Sequence, residues 1–368
     1  MSQKIFRQKL DHPGGRTEIR IGAGALASAA EELGPWLDGR TLFVLSTPRV
    51  RALHGATLAG LEGTAARVVP LEVEDGEGAK TLAWAERLWH RMLEDGGKRD
   101  SRLLTLGGGS ACDLGGFVAG CFLRGVDCAQ VPSTLLAQVD AALGGKTGVD
   151  LPGGKNTVGL FHHPAWVLAD TSLLATLPAG ELRSGLVEVV KMAFLLDPEL
   201  FARVEAELDA LLAGDAGALG PVVAAAAAAK CRVVERDPAE GGYRRVLNFG
   251  HTLGHAIEGA LGYRRLRHGE AVAYGLLFAL RLCRRRGLPE SDADRLRNLL
   301  ARFGLPPLPE LDAGELESFL RRDKKATEGG LVWVLARDLG SEAMVAVDPA
   351  EVRRELDAFL ADPWAAPG

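Results

Sequence analysis

Over its first 170 residues the chain alternates short apolar, β-branched runs with stretches of helical periodicity. TLFVLST (41–47), ARVVPLEV (66–73), LLTLGGG (103–109), CAQVPS (128–133) and WVLAD (166–170) read as strands. Each is a brief apolar run bounded by turn formers, the pattern of a strand buried on both faces. TLAWAERLWHRML (81–93) spaces its apolar residues three and four apart and reads as a helix between two of them. Such alternation predicts a parallel sheet covered by helices. After residue 171 strand signals nearly vanish until LVWVLA (331–336), and helices are expected at 180–195, 198–212, 217–236 and 269–286. The expected organisation is an α/β nucleotide-binding domain over 1–170 and a helical domain over 171–368. No internal repeat is visible, and the alanine run 224–229 reads as a tightly packed helix.

A length of 368 residues suits two domains, and 47% hydrophobic with 25% charged residues is the composition of an ordinary globular protein. A net charge of −5 argues against a nucleic-acid or membrane-surface partner, either of which usually selects a basic excess. The five cysteines are scattered without a C-x-x-C and read as reduced core thiols of a cytosolic protein. MSQKIFRQKLDHPGG carries no apolar signal region, and the apolar runs near 219–229 and 271–280 are shorter than a bilayer span. A cytoplasmic location is the expectation.

Candidate chemistry concentrates in NFGHTLGHAIE (248–258) and RHGEAVAYG (267–275), which hold three of eight histidines. His251 and His255 lie four apart in a helical run and share a face, while His268 opens the next helix. Two imidazoles and a carboxylate from elsewhere would make a catalytic zinc site with an open position. The run LLTLGGGSACDLGGFVAG (103–120) reads as strand, glycine turn and helix. Gly107, Gly108 and Gly109 would let backbone N–H groups approach a phosphate, although the third glycine of G-x-G-x-x-G falls at Cys112. Asp113 could cap that helix or touch the cofactor. DGEGAKTL (75–82) places Glu77 and Lys80 in a βα loop. VPSTLLAQVDAALGGKTGVDLPGGKNTVG (131–159) sets Ser133, Thr134, Asp140, Lys146, Lys155 and Asn156 among glycines, as fixed groups for a phosphate-bearing substrate. Glu188 and Lys191 share a mostly apolar helical face and could pair with each other. Lys230 and Arg244 are two cations that could clamp a carboxylate, and Asn248 precedes His251.

These blocks, in this order, resemble the 3-dehydroquinate synthase family of sugar phosphate cyclases along almost the whole chain. The matches are DGE..K, GGG...D, RGV, the QVD..LGGKTGV..P.GKN run, LVEVVK, R...NFGHTLGHAIE, HGEAVA and RDKK. The fold implied is α/β, with an N-terminal Rossmann-like parallel-sheet NAD-binding domain and an all-α metal-binding domain. The resemblance implies Glu188, His251 and His268 as ligands of Zn2+, with Co2+ as the other candidate ion. It implies NAD contacts from Asp75, Glu77, Lys80, Gly107, Gly108, Gly109, Asp113, Ser133, Thr134, Lys146, Lys155 and Thr176. Asp140, Lys146, Asn156, Lys191 and His255 become catalytic, and Asn248 faces the substrate. Lys230 and Arg244 would bind the substrate carboxylate. Arg124 would reach its phosphate from the neighbouring subunit, which makes a homodimer the expectation. One of Lys324 and Lys325 would close over the site. Ala141, Ala142, Ser133, Asp150 and Cys112 depart from common family choices without removing a ligand or cation.

The activity implied is a lyase reaction of the shikimate pathway, leading to chorismate and the aromatic amino acids. It would turn 3-deoxy-D-arabino-heptulosonate 7-phosphate into 3-dehydroquinate and phosphate through transient oxidation, phosphate elimination, re-reduction and aldol closure. The alternatives are an amino-dehydroquinate synthase, another sugar phosphate cyclase, or a metal-dependent polyol dehydrogenase, which would accumulate NADH.

Overall fold

The computed structural model describes residues 4–152, 154–322, 326–327 and 330–365. The chain divides into two compact units, 1–178 with 214–241, and 179–213 with 242–368. The helix Ala216–Arg236 therefore groups with the first unit, where the sequence reading ran the second domain unbroken from 171. Its apolar faces pack on the N-terminal strand and on the turn Ala137–Ala141, and Gln8 donates to the Ala224 carbonyl at 2.7 Å. Among the described residues this is the one helix long and apolar enough to cross a membrane, and 67% of its apolar window is buried inside the protein.

In the first unit, β1 (Phe6–His12), β2 (Gly15–Ile21), β3 (Thr41–Ser46), β4 (Arg67–Glu72), β5 (Arg102–Gly107) and β6 (Cys128–Pro132) precede a hairpin of β7 (Lys146–Leu151) and β8 (Gly154–Phe161), then β9 (Trp166–Ala169). The main sheet runs β1-β2-β9-β6-β5-β3-β4 and is parallel except for the β1–β2 pair. Because side chains alternate along a strand, Phe43 and Leu45 enter one core and Leu42 and Val44 the other. Helices cover both faces, so the inner strands can be apolar throughout. The five strands expected here all form. The β1–β2 pair and the β7–β8 hairpin were not expected. Polar residues interrupt FRQKLDH, and the glycines of 144–159 disguise a ladder in which Gly148 pairs with Gly159.

The second unit is helical, with Ala179–Leu196, Pro198–Leu212, His251–Ala260 and His268–Arg284 at its centre. It is not entirely α: β10 (Ala326–Thr327), β11 (Gly330–Asp338) and β12 (Ser341–Val347) form a small antiparallel sheet. Two glycines set how closely its helices approach. A Cβ on Gly275 would lie 1.9 Å from the Gly250 carbonyl oxygen, and one on Gly269 would lie 2.2 Å from that of Ser184. These contacts bring the first turn of His251–Ala260 against His268–Arg284 two turns from its start and seat the latter helix on Ala179–Leu196. All five cysteines are free; four are buried, but Cys121 is exposed rather than in the core.

The backbone contact at Gly275 gives a direct test. Gly275→Ala should lower stability by about 1–3 kcal/mol or more through overpacking. Gly220→Ala has open space around it and should instead gain about 0.5–1 kcal/mol from helix propensity. Urea melts of the two variants check both signs.

Candidate functional site

In the first unit the carboxyl ends of β4 and β5 carry most of the expected cofactor residues. The strand β5 ends at Gly107, Gly108 caps the helix Gly109–Cys121 through its backbone, and the Gly107 carbonyl accepts from Ser133 N at 2.8 Å. The glycines permit this: a Cβ on Gly107 would lie 2.6 Å from that of Ala111, and one on Gly108 would lie 3.1 Å from Thr134 Cγ2. Asp113 does not cap the helix. It lies a turn further in, and its carboxylate is 2.8 Å from Lys80 Nζ.

Lys80 is the centre of this cluster, with only 2% of its surface exposed. Its ammonium donates to Asn156 Oδ1 and lies 3.5 Å from Glu77 and 3.9 Å from Asp150. Glu77 also accepts from Ser110 Oγ and has Lys155 Nζ at 4.0 Å. Asn156 is held at φ +52 while its N–H donates to Asp150 Oδ1 at 2.7 Å, a left-handed conformation that asparagine tolerates better than most residues. The sequence reading passes over Ser110 and gives Asp150 no role. Burial raises the Asp113 carboxyl from 3.8 to about 6, against the pull of Lys80. The Lys80 ammonium also titrates high: burial pulls it down, and Asp113 and Glu77 push it further up.

Other expected residues of this unit lie outside that cluster of contacts. Asp140 sits in a π-helical turn and pairs with the buried Lys230 at 2.6 Å. Lys146 opens β7 and pairs with Glu240 at 2.6 Å. Thr176 Oγ1 is 2.8 Å from His54 Nε2, Thr134 Oγ1 accepts from Ala137 N at 3.2 Å, and Asp75 is exposed. Arg124 is exposed at φ +70, next to Leu123 at φ +50. Two successive non-glycine residues in the left-handed region are costly to hold and cluster where a side chain must be aimed.

In the second unit three expected ligands converge. Glu188 is fully buried on the helix Ala179–Leu196. Its Oε2 accepts from Lys191 Nζ, while Oε1 is buried with no hydrogen-bond partner among the described residues. That oxygen lies 3.5 Å from His251 Nε2 and 3.8 Å from His268 Nε2. The three donor atoms fall within 4.8 Å of one another. Ligands about 2.0–2.1 Å from a tetrahedral zinc stand about 3.3 Å apart, so the two Glu188–histidine spacings need to close by only a few tenths of an ångström. Burial holds His251 well below the ordinary imidazole range, with Lys191, His255 and His268 adding to the effect, so its lone pair is available. At His268 burial pulls down, but Glu258 and Glu188 together raise it. The orphaned oxygen, two imidazoles and the 3.5–3.8 Å spacing fit a divalent ion.

His255 is exposed one turn beyond His251, its ring centroid 5.2 Å from that of His251 and 5.9 Å from that of His268. Asn248 lines a small cavity with Arg245, Thr252, Val332, Val334 and Met344, and Arg244 is buried in the preceding turn. Glu258, buried and 3.2 Å from His268 Nδ1, is absent from the sequence candidates. Its position three residues beyond His255 on the same helical face was the available signal. Lys324 and Lys325 lie outside the described residues.

The raised Asp113 carboxyl sets a sign for pH. Between about pH 4 and 6 the unfolded chain ionises this group while the folded protein keeps it protonated, so its contribution to stability falls as pH rises. The melting-temperature difference between the native protein and Asp113→Asn should therefore shift against the native protein from pH 4.5 to 6.5 and flatten above. A constant difference would mean that the Lys80 pair balances burial, and a shift in favour of the native protein that it outweighs burial.

Residues 70–184 match the family model described as 3-dehydroquinate synthase N-terminal, and 185–326 that of 3-dehydroquinate synthase C-terminal. The 3-dehydroquinate synthase of Symbiobacterium thermophilum is 43% identical over 351 residues, covering 94% of this chain and 98% of that one. Two solved structures are similar throughout. A 2-deoxy-scyllo-inosose synthase complexed with carbaglucose-6-phosphate, NAD+ and Co2+ superposes with a TM-score of 0.88 at 26% identity, covering 95% of this chain and 99% of that one. The 2-epi-5-epi-valiolone synthase of Streptomyces hygroscopicus, with NAD+ and Zn2+ bound, gives 0.85 at 28% identity, covering 94% and 96%. With both of its halves matched in order and a relative aligned along nearly its full length, this chain belongs to the 3-dehydroquinate synthase family.

Proposed function

We propose that this chain converts 3-deoxy-D-arabino-heptulosonate 7-phosphate into 3-dehydroquinate and phosphate, working in the cytoplasm as a homodimer. The observation that carries the reading is Glu188 Oε1, buried without a hydrogen-bond partner among the described residues and facing two imidazole Nε2 atoms, in a chain whose halves both match one family. Glu188, His251 and His268 would hold the divalent ion. The turn from Gly107 to Gly109, Asp75, Ser133, Thr134, Thr176 and the cluster of Glu77, Lys80, Asp113 and Lys155 would hold NAD. When bound, the ion supplies charge that stabilises an alkoxide and the nucleotide a reversible hydride acceptor.

The residues of the chain then have separable tasks. Elimination of phosphate requires an acidic proton on the neighbouring carbon, which a ketone one position further along provides. Restoring the alcohol afterwards leaves no net oxidation. His255, exposed beside both ligand imidazoles, would take up and return the hydroxyl proton. Lys191 fixes one oxygen of Glu188 and so points the other toward the ion. Lys146 and Asn156 would bind the phosphate, joined by Arg124 of a second subunit, for which the strained turn at Leu123 and Arg124 is support. Lys146 must first give up Glu240. Lys230, with Asp140 beside it, and Arg244 would bind the carboxylate, the group that sibling cyclase substrates lack, with Asn248 on the substrate hydroxyls. Most of the rate would come from orientation and a fixed positive field.

The test follows phosphate and NADH together in purified, metal-loaded protein given the heptulosonate phosphate and trace NAD. Stoichiometric phosphate without accumulating NADH, abolished by a chelator, is expected; no phosphate release would contradict the reading. In the same assay His255→Ala should keep its metal and lose about 10²–10⁴-fold in kcat. A near-normal rate would remove His255 from acid–base catalysis.

A further inference from the structure

Both histidines of the metal triad occupy the first position of a helix. His251 opens His251–Ala260 and His268 opens His268–Arg284. Helix N-termini are the positive ends of their dipoles, and they favour anions over cations. The ammonium of Lys191 lies on the other oxygen of Glu188, so a divalent ion here would meet a cation and two positive helix ends with one carboxylate in its own shell. A second negative charge close to the ligands would relieve that imbalance, and Glu258 supplies one. Its side chain is 6% exposed, and Oε2 lies 3.2 Å from His268 Nδ1.

The two histidines have different outer partners. His251 Nδ1 is 3.3 Å from the Phe249 carbonyl oxygen, a neutral acceptor. His268 has a carboxylate in the same place. A carboxylate offers lone pairs only, so the proton of the neutral ring resides on Nδ1 and the lone pair on Nε2, the atom facing Glu188. A charged acceptor also makes that lone pair a stronger donor. His268 needs the support more than His251. Its side chain is 30% exposed against 11%, so packing constrains its ring less.

We propose that Glu258 is a positioning residue of the metal centre, which orients His268, fixes its Nε2 lone pair toward the ion and offsets the positive helix ends. Its place in the chain follows from geometry. His251, His255 and Glu258 are spaced four and three apart, on the face of their helix that meets the start of the next. His255, Glu258 and His268 also fall within ligand spacing of one another. A second ion there would have to bind the Nδ1 that already holds the Glu258 hydrogen bond, so that group serves as an outer shell.

The inference rests on the metal reading above, and its test reads metal binding rather than turnover. Co2+ and Zn2+ dissociation constants would be measured by chelator competition on the full chain, with the Co2+ visible spectrum and the metal-free melting curve recorded for each variant. Glu258→Ala should weaken binding by about 10–100-fold. Glu258→Gln keeps an acceptor oxygen but not the charge and should fall between; it also carries the test if the alanine variant does not fold. In a His268→Ala background the cost of Glu258→Gln should shrink to the part due to its charge alone, because the orienting effect passes through the ring. Unchanged affinity and an unchanged Co2+ spectrum in Glu258→Gln would overturn the proposal. So would an equal loss with and without His268, which marks a purely structural role. Native protein that binds no metal defeats both this inference and the proposed function. Protein that binds metal tightly without releasing phosphate defeats the function alone.

Discussion

A buried carboxylate with one oxygen satisfied and the other without a hydrogen-bond partner among the described residues is a constraint around which the second unit is arranged. Glu188 has no exposed surface, and burying an unpaired charge costs several kcal/mol after relaxation. Lys191 neutralises half of the problem from within the same helix. The remaining oxygen faces the Nε2 atoms of two imidazoles, His251 held neutral by burial and His268 inclined toward its protonated form by Glu258 and Glu188 until an ion takes the proton's place. Three lone pairs pointed at one place repel each other and invite a cation. Ion binding is therefore linked to the stability of this unit, and affinity and folding should move together. The helix approaches that Gly269 and Gly275 allow are what bring three separate chain segments to that point.

The first unit poses the opposite problem, a buried ammonium. Lys80 is surrounded by Asp113, Glu77, Asp150 and the amide oxygen of Asn156, contributed by the β4 loop, the helix after β5 and the β7–β8 hairpin. One cation thus ties three loops at the sheet's carboxyl edge, where open α/β sheets bind their ligands. Burial keeps the Asp113 carboxyl raised to about 6 despite Lys80, which makes the loop arrangement sensitive to pH in a way an isolated surface pair is not.

Legibility in the sequence followed the range of the interaction. Inner strands such as TLFVLS and LLTLG announced themselves because burial on both faces leaves continuous apolar runs. The β1–β2 ribbon did not, since its polar positions broke the pattern, and the hairpin was hidden by glycines that close strand packing requires. Two of the metal ligands' segments were visible from local histidine spacing. Glu188 was not, because nothing local distinguishes a ligand carboxylate from half of an ion pair; it entered only through resemblance to a family. Glu258 was missed although its spacing was regular, because its partner is an imidazole on the next helix. The Lys80 contacts were likewise out of reach, since three segments meet there and no spacing within any one of them records it.

The most direct test of the central claim is where a metal scatters. Crystals grown with zinc and measured on both sides of its absorption edge should show one anomalous peak at bonding distance from Glu188 Oε1, His251 Nε2 and His268 Nε2. A peak on His255 and Glu258 with Glu188 still bare, or no peak at saturating zinc, would contradict the account.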